Sequence, residues 1–161
     1  MYPVDEPFAG DERAMLDGML DFQRAELLVR CSGLGGVDLA RRALPPSTMS
    51  LLGLVRHLSE VERHWWQRRF AGLPAPVRYE GEAAFELAEA AGAEADYAEL
   101  LAEQRASREA VAGLGLGAVY DHREFGSMTL RWGYLHMVAE YAGHVAHADL
   151  LREAIDGVTH S

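Results

Sequence analysis

The stretch from residue 129 to 155 carries apolar residues at the spacing of an amphipathic helix, which predicts the longest helix of the chain. Polar side chains interrupt its apolar side: His144 lies within that side, and Glu140 and His147 lie on its flank. A buried imidazole or carboxylate needs a partner that offsets the loss of water. With His144, the apolar side is formed by Leu130, Met137, Tyr141, Ala148, Leu151 and Ile155.

Two earlier stretches have the same helical periodicity. The first begins at Asp11, a residue type that caps helix N-termini, and ends near Cys31, where Gly33 favours termination. The second follows a Pro-Pro-Ser sequence and runs from about residue 48 to 70. Their inward-facing residues are Leu16, Met19, Leu20 and Leu27 in the first helix, and Leu51, Leu54, Leu58, Val61 and Trp65 in the second.

Residues 71–95 are rich in Gly, Pro and Glu, which predicts a long crossover with a short helical turn at residues 85–90. Asp96 is then predicted to cap a third helix, which extends to Val111. On this helix Tyr97, Leu100, Leu101 and Val111 are predicted to face inward, and Glu99, Glu103, Arg105 and Arg108 to face solvent.

The segment between the third and last helices contains GLGLG at 113–117, which indicates helix termination, and YDHREFGS, whose alternation permits a short extended piece. Ser127 or Thr129 opens the last helix, and Gly157 closes it. No segment is a convincing strand. Four helices of about 20 residues with one long crossover predict an all-α fold, a four-helix bundle that forms a single domain over residues 1–161.

Composition narrows the classes of partner. The chain has 15 basic and 25 acidic residues, a net charge of −10, which disfavours nucleic acid. The sequence begins without an apolar run and contains no long apolar segment, so we expect a soluble cytoplasmic protein.

Cys31 is the only cysteine, which excludes a disulfide within the chain and a cysteine-based metal site. At a helix end it is expected to be a half-buried thiol rather than a nucleophile.

A metal site can be built from the remaining His and carboxylate residues. Glu140 and His144 are one helical turn apart, and a bundle would bring them close to the second helix. His57 and His64 both lie at the edge of that helix's apolar side, and periodicity does not choose between them. Two imidazoles and one carboxylate suit zinc or Fe(II), and nickel or manganese also fit. The alternative is a partly exposed Glu–His pair with a hydrogen-bonded histidine at the edge of the core.

Two blocks of sequence resemble a known family. TMSLLGLVRHLSEVERHWW, together with TLRWGYLHMVAEYAGHVAHADLLREAIDG far downstream, looks like the DinB/YfiT-like superfamily, specifically its DUF664 branch of actinobacterial proteins. The resemblance covers nearly the whole chain. It implies a four-helix bundle with an up-down-down-up arrangement, which the long crossover would fit.

The resemblance also implies a divalent metal bound by His57, Glu140 and His144, and so selects His57 over His64. Among the metals that suit this donor set, zinc is favoured. The Glu-x-x-x-His form is similar to mycothiol-dependent maleylpyruvate isomerase, whereas many relatives have His-x-x-x-His. His147 stands where many relatives carry glutamine, so it is a candidate proton carrier, a candidate hydrogen-bond partner of a metal ligand, or an alternative ligand.

Three functions are compatible with such a site. The first is an S-transferase or isomerase in which the metal holds a low-molecular-weight thiol such as mycothiol, and His147 or Glu60 moves protons. The second is a hydrolase that uses metal-bound water. The third is a metal-stabilised binding module without turnover. A deep pocket with positive groups would favour an enzyme that binds an acidic cofactor, and Arg56, Arg123 and Arg131 are candidates for those groups. The resemblance also implies a homodimer.

Overall fold

The computed structural model describes residues 4–160. Within that range the chain is mostly helical, and four long helical segments dominate it. These are α1 (Glu12–Cys31), α3 (Leu51–Glu62) with its continuation as a π-helix (Arg63–Phe70), α5 (Ala93–Val111) and α6 (Leu130–Asp156). Short elements complete the chain: α2 (Gly36–Leu39), α4 (Ala83–Glu86), a 3-10 turn (Ala90–Gly92), and the strands β1 (Val119–His122) and β2 (Gly126–Thr129).

Side-chain caps fix where the long helices begin and end. The Asp11 carboxylate accepts the Ala14 N–H at the start of α1, and the Thr129 hydroxyl accepts the Trp132 N–H at the start of α6. Gly157 ends α6 with a φ of 77°, in the left-handed region where glycine has no steric cost. These three predicted boundaries are confirmed.

Helices α3 and α5 begin a few residues away from their predicted starts. The cap of α3 is Ser50, which accepts the Gly53 N–H at 3.0 Å, rather than a residue of the Pro-Pro-Ser sequence. Helix α5 starts at Ala93, so Asp96 lies in its first turn instead of capping it. The short helix in the crossover is α4, close to the predicted position.

The chain's one departure from an all-α fold, within the described residues, is the antiparallel hairpin of β1 and β2. Val119 pairs with Thr129 and His122 with Gly126. The sequence offered no convincing strand, but the short extended piece that the alternation in YDHREFGS permits does form here, as part of a paired hairpin. Two strands of four residues give too few alternations for the pairing itself to be recognised. The hairpin leads directly into α6, where the Leu130 N–H donates to the Ala118 carbonyl at 2.8 Å.

The core lies where α1 packs against α6 and α3 packs against α5, and α3 also contacts α6. No helix in residues 4–160 is both long and apolar enough to cross a membrane. The largest fully buried side chains are Trp66, Tyr141, Leu20, Leu27, Leu51, Leu52, Leu54, Leu58, Leu100, Leu130, Met137 and Leu151.

A buried polar network joins the four long helices. Glu62, at the end of α3, is fully buried and accepts two hydrogen bonds of 2.7 Å from the Arg24 guanidinium of α1. The Tyr141 hydroxyl of α6 donates to the same carboxylate at 2.8 Å. Gln104 of α5 donates to the Tyr141 oxygen at 3.3 Å. One carboxylate thus ties α1 and α6 to α3, and its tyrosine partner ties in α5.

A second buried ion pair contradicts the predicted orientation of Glu103. This residue is buried and pairs with Arg63, while Gln67 donates to its other oxygen at 2.6 Å. Arg63 and Gln67 belong to the π-helix, whose wider turns are marked by the bond from the Ala71 N–H to the Trp66 carbonyl, five residues back. The π-helix turns two polar residues towards α5, so Glu103 has buried partners that helical periodicity does not reveal.

We predict that Arg24→Met destabilises the protein by about 3–5 kcal/mol, because it leaves the Glu62 carboxylate buried with its charge uncompensated. Urea denaturation would measure the free energy of unfolding. Arg131→Met is the matched control, because it breaks the two-bonded ion pair with Glu12 in which both groups are exposed. Equal denaturation midpoints for the two variants would contradict the proposed weight of the buried pair.

Cys31 is fully buried, beyond the predicted half-burial, and its burial raises the pKa of the thiol to about 11. We predict that iodoacetamide alkylates the native protein at about pH 8 at least about 100-fold more slowly than the urea-unfolded protein, whose thiol has an ordinary pKa. The native rate should rise about tenfold per pH unit below pH 11, as the thiolate fraction does. Mass spectrometry of the time course measures both rates, and equal rates would refute the assignment of an inert thiol.

Candidate metal centre

Three potential metal ligands from two helices meet at one edge of the core. Glu140 and His144 project from successive turns of α6, and His57 projects from α3. Oε1 of Glu140 lies 3.1 Å from Nε2 of His57 and 3.3 Å from Nε2 of His144. One donor atom from each residue lies within 4.8 Å of the other two. The structure thus brings together the three residues that the resemblance implied as ligands.

Phe85 of α4 packs against the His57 ring. The two rings stack with centroids 5.5 Å apart and an interplanar angle of 29°. Phe85 is itself buried and lies over Gly53 so closely that a Cβ at Gly53 would come within 2.6 Å of its ring. The His144 ring also contacts His57, edge-on with ring centroids 4.7 Å apart. Sequence reasoning missed Phe85, although the short helical turn predicted in the crossover places an aromatic residue there.

The three side chains are half-buried, whereas the sequence pattern placed His144 inside the apolar side of α6. Glu140 and His57 are each 27% exposed, and His144 is 18% exposed. The buried side of α6 is formed instead by Leu130, Gly133, Tyr134, Met137, Tyr141, Val145, Ala148, Leu151 and Arg152.

Hydrogen bonds control the charge of the site. Those from His144 and His57 hold the pKa of the Glu140 carboxyl well below its ordinary value, outweighing the opposite effect of burial. The carboxylate is therefore anionic over the whole physiological range. An anionic oxygen between two imidazole nitrogens, all at the margin of solvent, is a donor set that suits a divalent cation.

A cavity of about 310 Å³ opens beside these donors. His147 is exposed on its margin, with Nδ1 3.3 Å from Nδ1 of His144. The two nitrogens of His144 therefore have different neighbours, Glu140 at Nε2 and His147 at Nδ1. A ring nitrogen held by a second residue is the usual arrangement around a metal-bound histidine. This cavity, which we call the metal cavity because it adjoins the three candidate ligands, is lined by His136, Ala139, Glu140, Gly143, His144 and His147.

Two other candidate residues, His64 and Glu60, lie outside this site. His64 accepts a hydrogen bond from Arg69 Nε at 3.4 Å and stands edge-on to Trp65, outside the metal cavity. Burial, and next the charges of Arg69 and Arg68, lower the pKa of His64 to about 4. Glu60 forms an ion pair with Arg68 and accepts the backbone N–H of residue 78 at 3.0 Å.

The arginines proposed for an acidic cofactor have other partners or positions. Arg56 contacts Asp96 at 3.4 Å and stacks over Tyr79, and Arg131 pairs with Glu12. Arg123 is exposed in the hairpin turn. Across residues 4–160, no arginine lines the metal cavity.

Comparison with known proteins agrees with this picture. The family model described as mycothiol-S-transferase matches residues 15–157, which include both sequence blocks quoted above and all four long helices except the first turn of α1. No curated protein and no solved structure matches the chain. The match covers most of the sequence and confirms the resemblance to the DinB-like proteins of the DUF664 branch. The chain therefore belongs to the mycothiol S-transferase family.

Proposed function

We propose that this protein is a metal-dependent enzyme that activates a low-molecular-weight thiol, with mycothiol favoured, for transfer to a small electrophile. The observation that carries the proposal is the convergence of His57, Glu140 and His144 beside an open cavity, in a chain of this family. We further propose that the four long helices form an up-down-down-up bundle in a single domain, with residues 71–95 as the crossover. A homodimer stays a prediction from the resemblance.

The proposed ligands are Nε2 of His57, Nε2 of His144 and Oε1 of Glu140. Three protein ligands leave room for a further one, the pattern of catalytic rather than structural sites. When bound, the cation would lower the pKa of a thiol that it ligates and hold it as thiolate. Zinc is favoured for this donor set, and nickel, iron and manganese are alternatives.

The protein's own residues would orient the site and move the proton. Before a cation binds, Glu140 keeps both Nε2 atoms directed towards the site, and the stacked Phe85 ring supports the His57 ring. His147 is the favoured acceptor of the thiol proton, because it lies on the cavity and is exposed enough to exchange protons with water. Glu60, the other candidate, is engaged by Arg68 and a backbone N–H, which makes it the weaker choice.

The proposed transfer is a substitution in which one bond forms and one bond breaks. The sulfur electron pair forms a bond to the electrophilic carbon, and the leaving group departs with the pair of the broken bond. The thiol proton passes to His147 and then to the leaving group or to water. An isomerase would instead add the thiolate to a carbon–carbon double bond, whose π electrons move onto the substrate. After rotation about the resulting single bond, those electrons would re-form the double bond and expel the thiolate. The hydrolytic alternative would use water in place of the thiol at the same three ligands.

We predict that the purified protein binds about one divalent ion per chain, and that His57→Ala and His144→Ala each weaken binding by more than about 100-fold, because each removes a ligand. Glu140→Gln should weaken binding without unfolding the protein, since the residue is half-buried and the core does not depend on it. Elemental analysis and competition with a chromophoric chelator would measure stoichiometry and affinity.

His64→Ala is the control for these variants, because it removes an imidazole of the same helical segment outside the metal cavity. It should retain the affinity of the parent. Loss of metal in His64→Ala with retention in His57→Ala would contradict the ligand assignment. A ratio near zero after reconstitution with zinc, nickel or manganese would contradict the site as a whole.

We predict that mycothiol added to the cobalt-substituted protein produces a sulfur-to-cobalt charge-transfer band in the absorption spectrum, because the open position accepts a thiolate. Cys31→Ala should give the same band, since the buried Cys31 thiol takes no part. His147→Gln should retain the band but slow thiol consumption with a test electrophile. Absence of a band with any small thiol, together with no thiol-dependent turnover, would favour the hydrolase or the binding module.

A further inference from the structure

A second cavity, of about 700 Å³, lies beside the metal cavity between the π-helix, the hairpin and α6. His136 lines both cavities. Its ring stacks on Trp132 with centroids 4.8 Å apart and an angle of 11°, and Trp65 stands edge-on to both at 4.9 and 5.1 Å. A molecule bound here would therefore lie against aromatic faces and next to the proposed thiol site.

The rim of this cavity, which we call the aromatic cavity, exposes apolar surface. Trp132 is 36% exposed, and Phe125 in the hairpin turn is 68% exposed and stacks on His122. Large aromatic side chains left in contact with water around a concavity are typical of a ligand-binding surface. The hairpin that sequence reasoning did not predict supplies one wall of this surface.

The charge of the aromatic cavity is the opposite of that of the chain. The protein carries 25 acidic residues, yet within the described part of the chain no aspartate or glutamate lines this cavity. Asp121 and Glu124 line the neighbouring cavity, which shares Arg69 with this one, and Asp121 accepts a hydrogen bond from Ser127. Arg69 therefore supplies the permanent charge of the aromatic cavity.

Among residues 4–160, Arg69 has no carboxylate partner. It donates from Nε to His64 at 3.4 Å and lies over the Tyr120 ring at 5.5 Å. With a pKa lowered to about 4, His64 is neutral at physiological pH and leaves the guanidinium charge uncompensated. A half-buried arginine beside aromatic rings and without a counter-ion favours an anionic group of a ligand.

We propose that the aromatic cavity is the subsite for the electrophile, and that it selects a planar aromatic molecule with an anionic substituent. The ring would pack against Trp132, Trp65 and His136, and the anionic group would bind Arg69. Its assignment to the electrophile rests on the function proposed above, because His136 connects it to the metal cavity, but the binding preference follows from the cavity alone.

Calorimetric titration of the full-length protein with 3-nitrobenzoate and with neutral nitrobenzene tests this preference. The parent should bind 3-nitrobenzoate at least about 10-fold more tightly, the effect of one charged hydrogen-bonded contact. Arg69→Gln should lose about that factor for 3-nitrobenzoate and none for nitrobenzene. Trp132→Ala should weaken both compounds by about 2- to 10-fold. Arg105→Gln is the matched control: it removes the same charge from an exposed arginine on α5, which lines no part of the cavity.

Equal affinities for the two compounds, or an Arg69→Gln variant that binds 3-nitrobenzoate like the parent, would overturn the proposal. The same titrations on His57→Ala separate the anion preference of the aromatic cavity from the proposed metal and thiol chemistry, because this variant lacks a proposed metal ligand but keeps the lining of the aromatic cavity. If the parent binds no metal and Arg69-dependent binding persists, the anion-selective cavity stands and the thiol chemistry falls. If metal and mycothiol bind but 3-nitrobenzoate does not, the subsite falls and the thiol chemistry stands.

Turnover tests the role in catalysis. With 4-chloro-3-nitrobenzoate and mycothiol, the carbon–sulfur bond would form at the ring carbon that bears chlorine, chloride would leave with its electron pair, and the proton would pass to His147. Arg69→Gln should raise KM for this substrate about 10-fold with kcat little changed, and should leave KM for 1-chloro-2-nitrobenzene unchanged. A change in kcat alone would contradict a binding role for Arg69.

Discussion

A carboxylate with no exposure to solvent lies where the four long helices meet. Glu62 would be costly there without compensation, and its two bonds from Arg24 and one from Tyr141 provide it. These bonds require α1, α3 and α6 to have one particular rotation about their own axes, because rotating any of them would break these bonds and leave a buried charge unpaired. Apolar packing alone tolerates several such rotations, so the network selects among them.

The geometry of the candidate metal centre depends on how these helices are rotated relative to one another. Tyr141 is the residue next to Glu140, so fixing the tyrosine hydroxyl on Glu62 also fixes the side of α6 from which Glu140 projects. His57 stands on α3, whose last residue is the same Glu62. The three candidate ligands themselves lie at the edge of the core, partly in contact with solvent. A buried ion pair can thus orient side chains that themselves remain accessible to solvent.

The sequence predicts what one helix determines by itself and misses what a second element imposes. Caps at Asp11, Thr129 and Gly157 are local, as is the spacing that stacks Glu140 on His144. The burial of Glu103 is not local, because its partners Arg63 and Gln67 are turned inward by π-helical turns that no spacing rule anticipates. The selection of His57 over His64 needed the family resemblance for the same reason.

Long-range attraction does not explain how an anionic ligand would reach a chain of net charge −10. Charges on the far side of the protein are screened at physiological salt, where the Debye length is about 8 Å. A ligand inside the aromatic cavity would therefore respond mainly to Arg69, and the hairpin carboxylates Asp121 and Glu124, which line the adjoining cavity, would oppose it. The overall charge would slow the encounter with an anion, whereas the local charge would determine how long the anion stays. Selectivity for an anionic substrate is thus compatible with an acidic protein, provided that the Arg69 guanidinium forms no ion pair with a carboxylate of the protein.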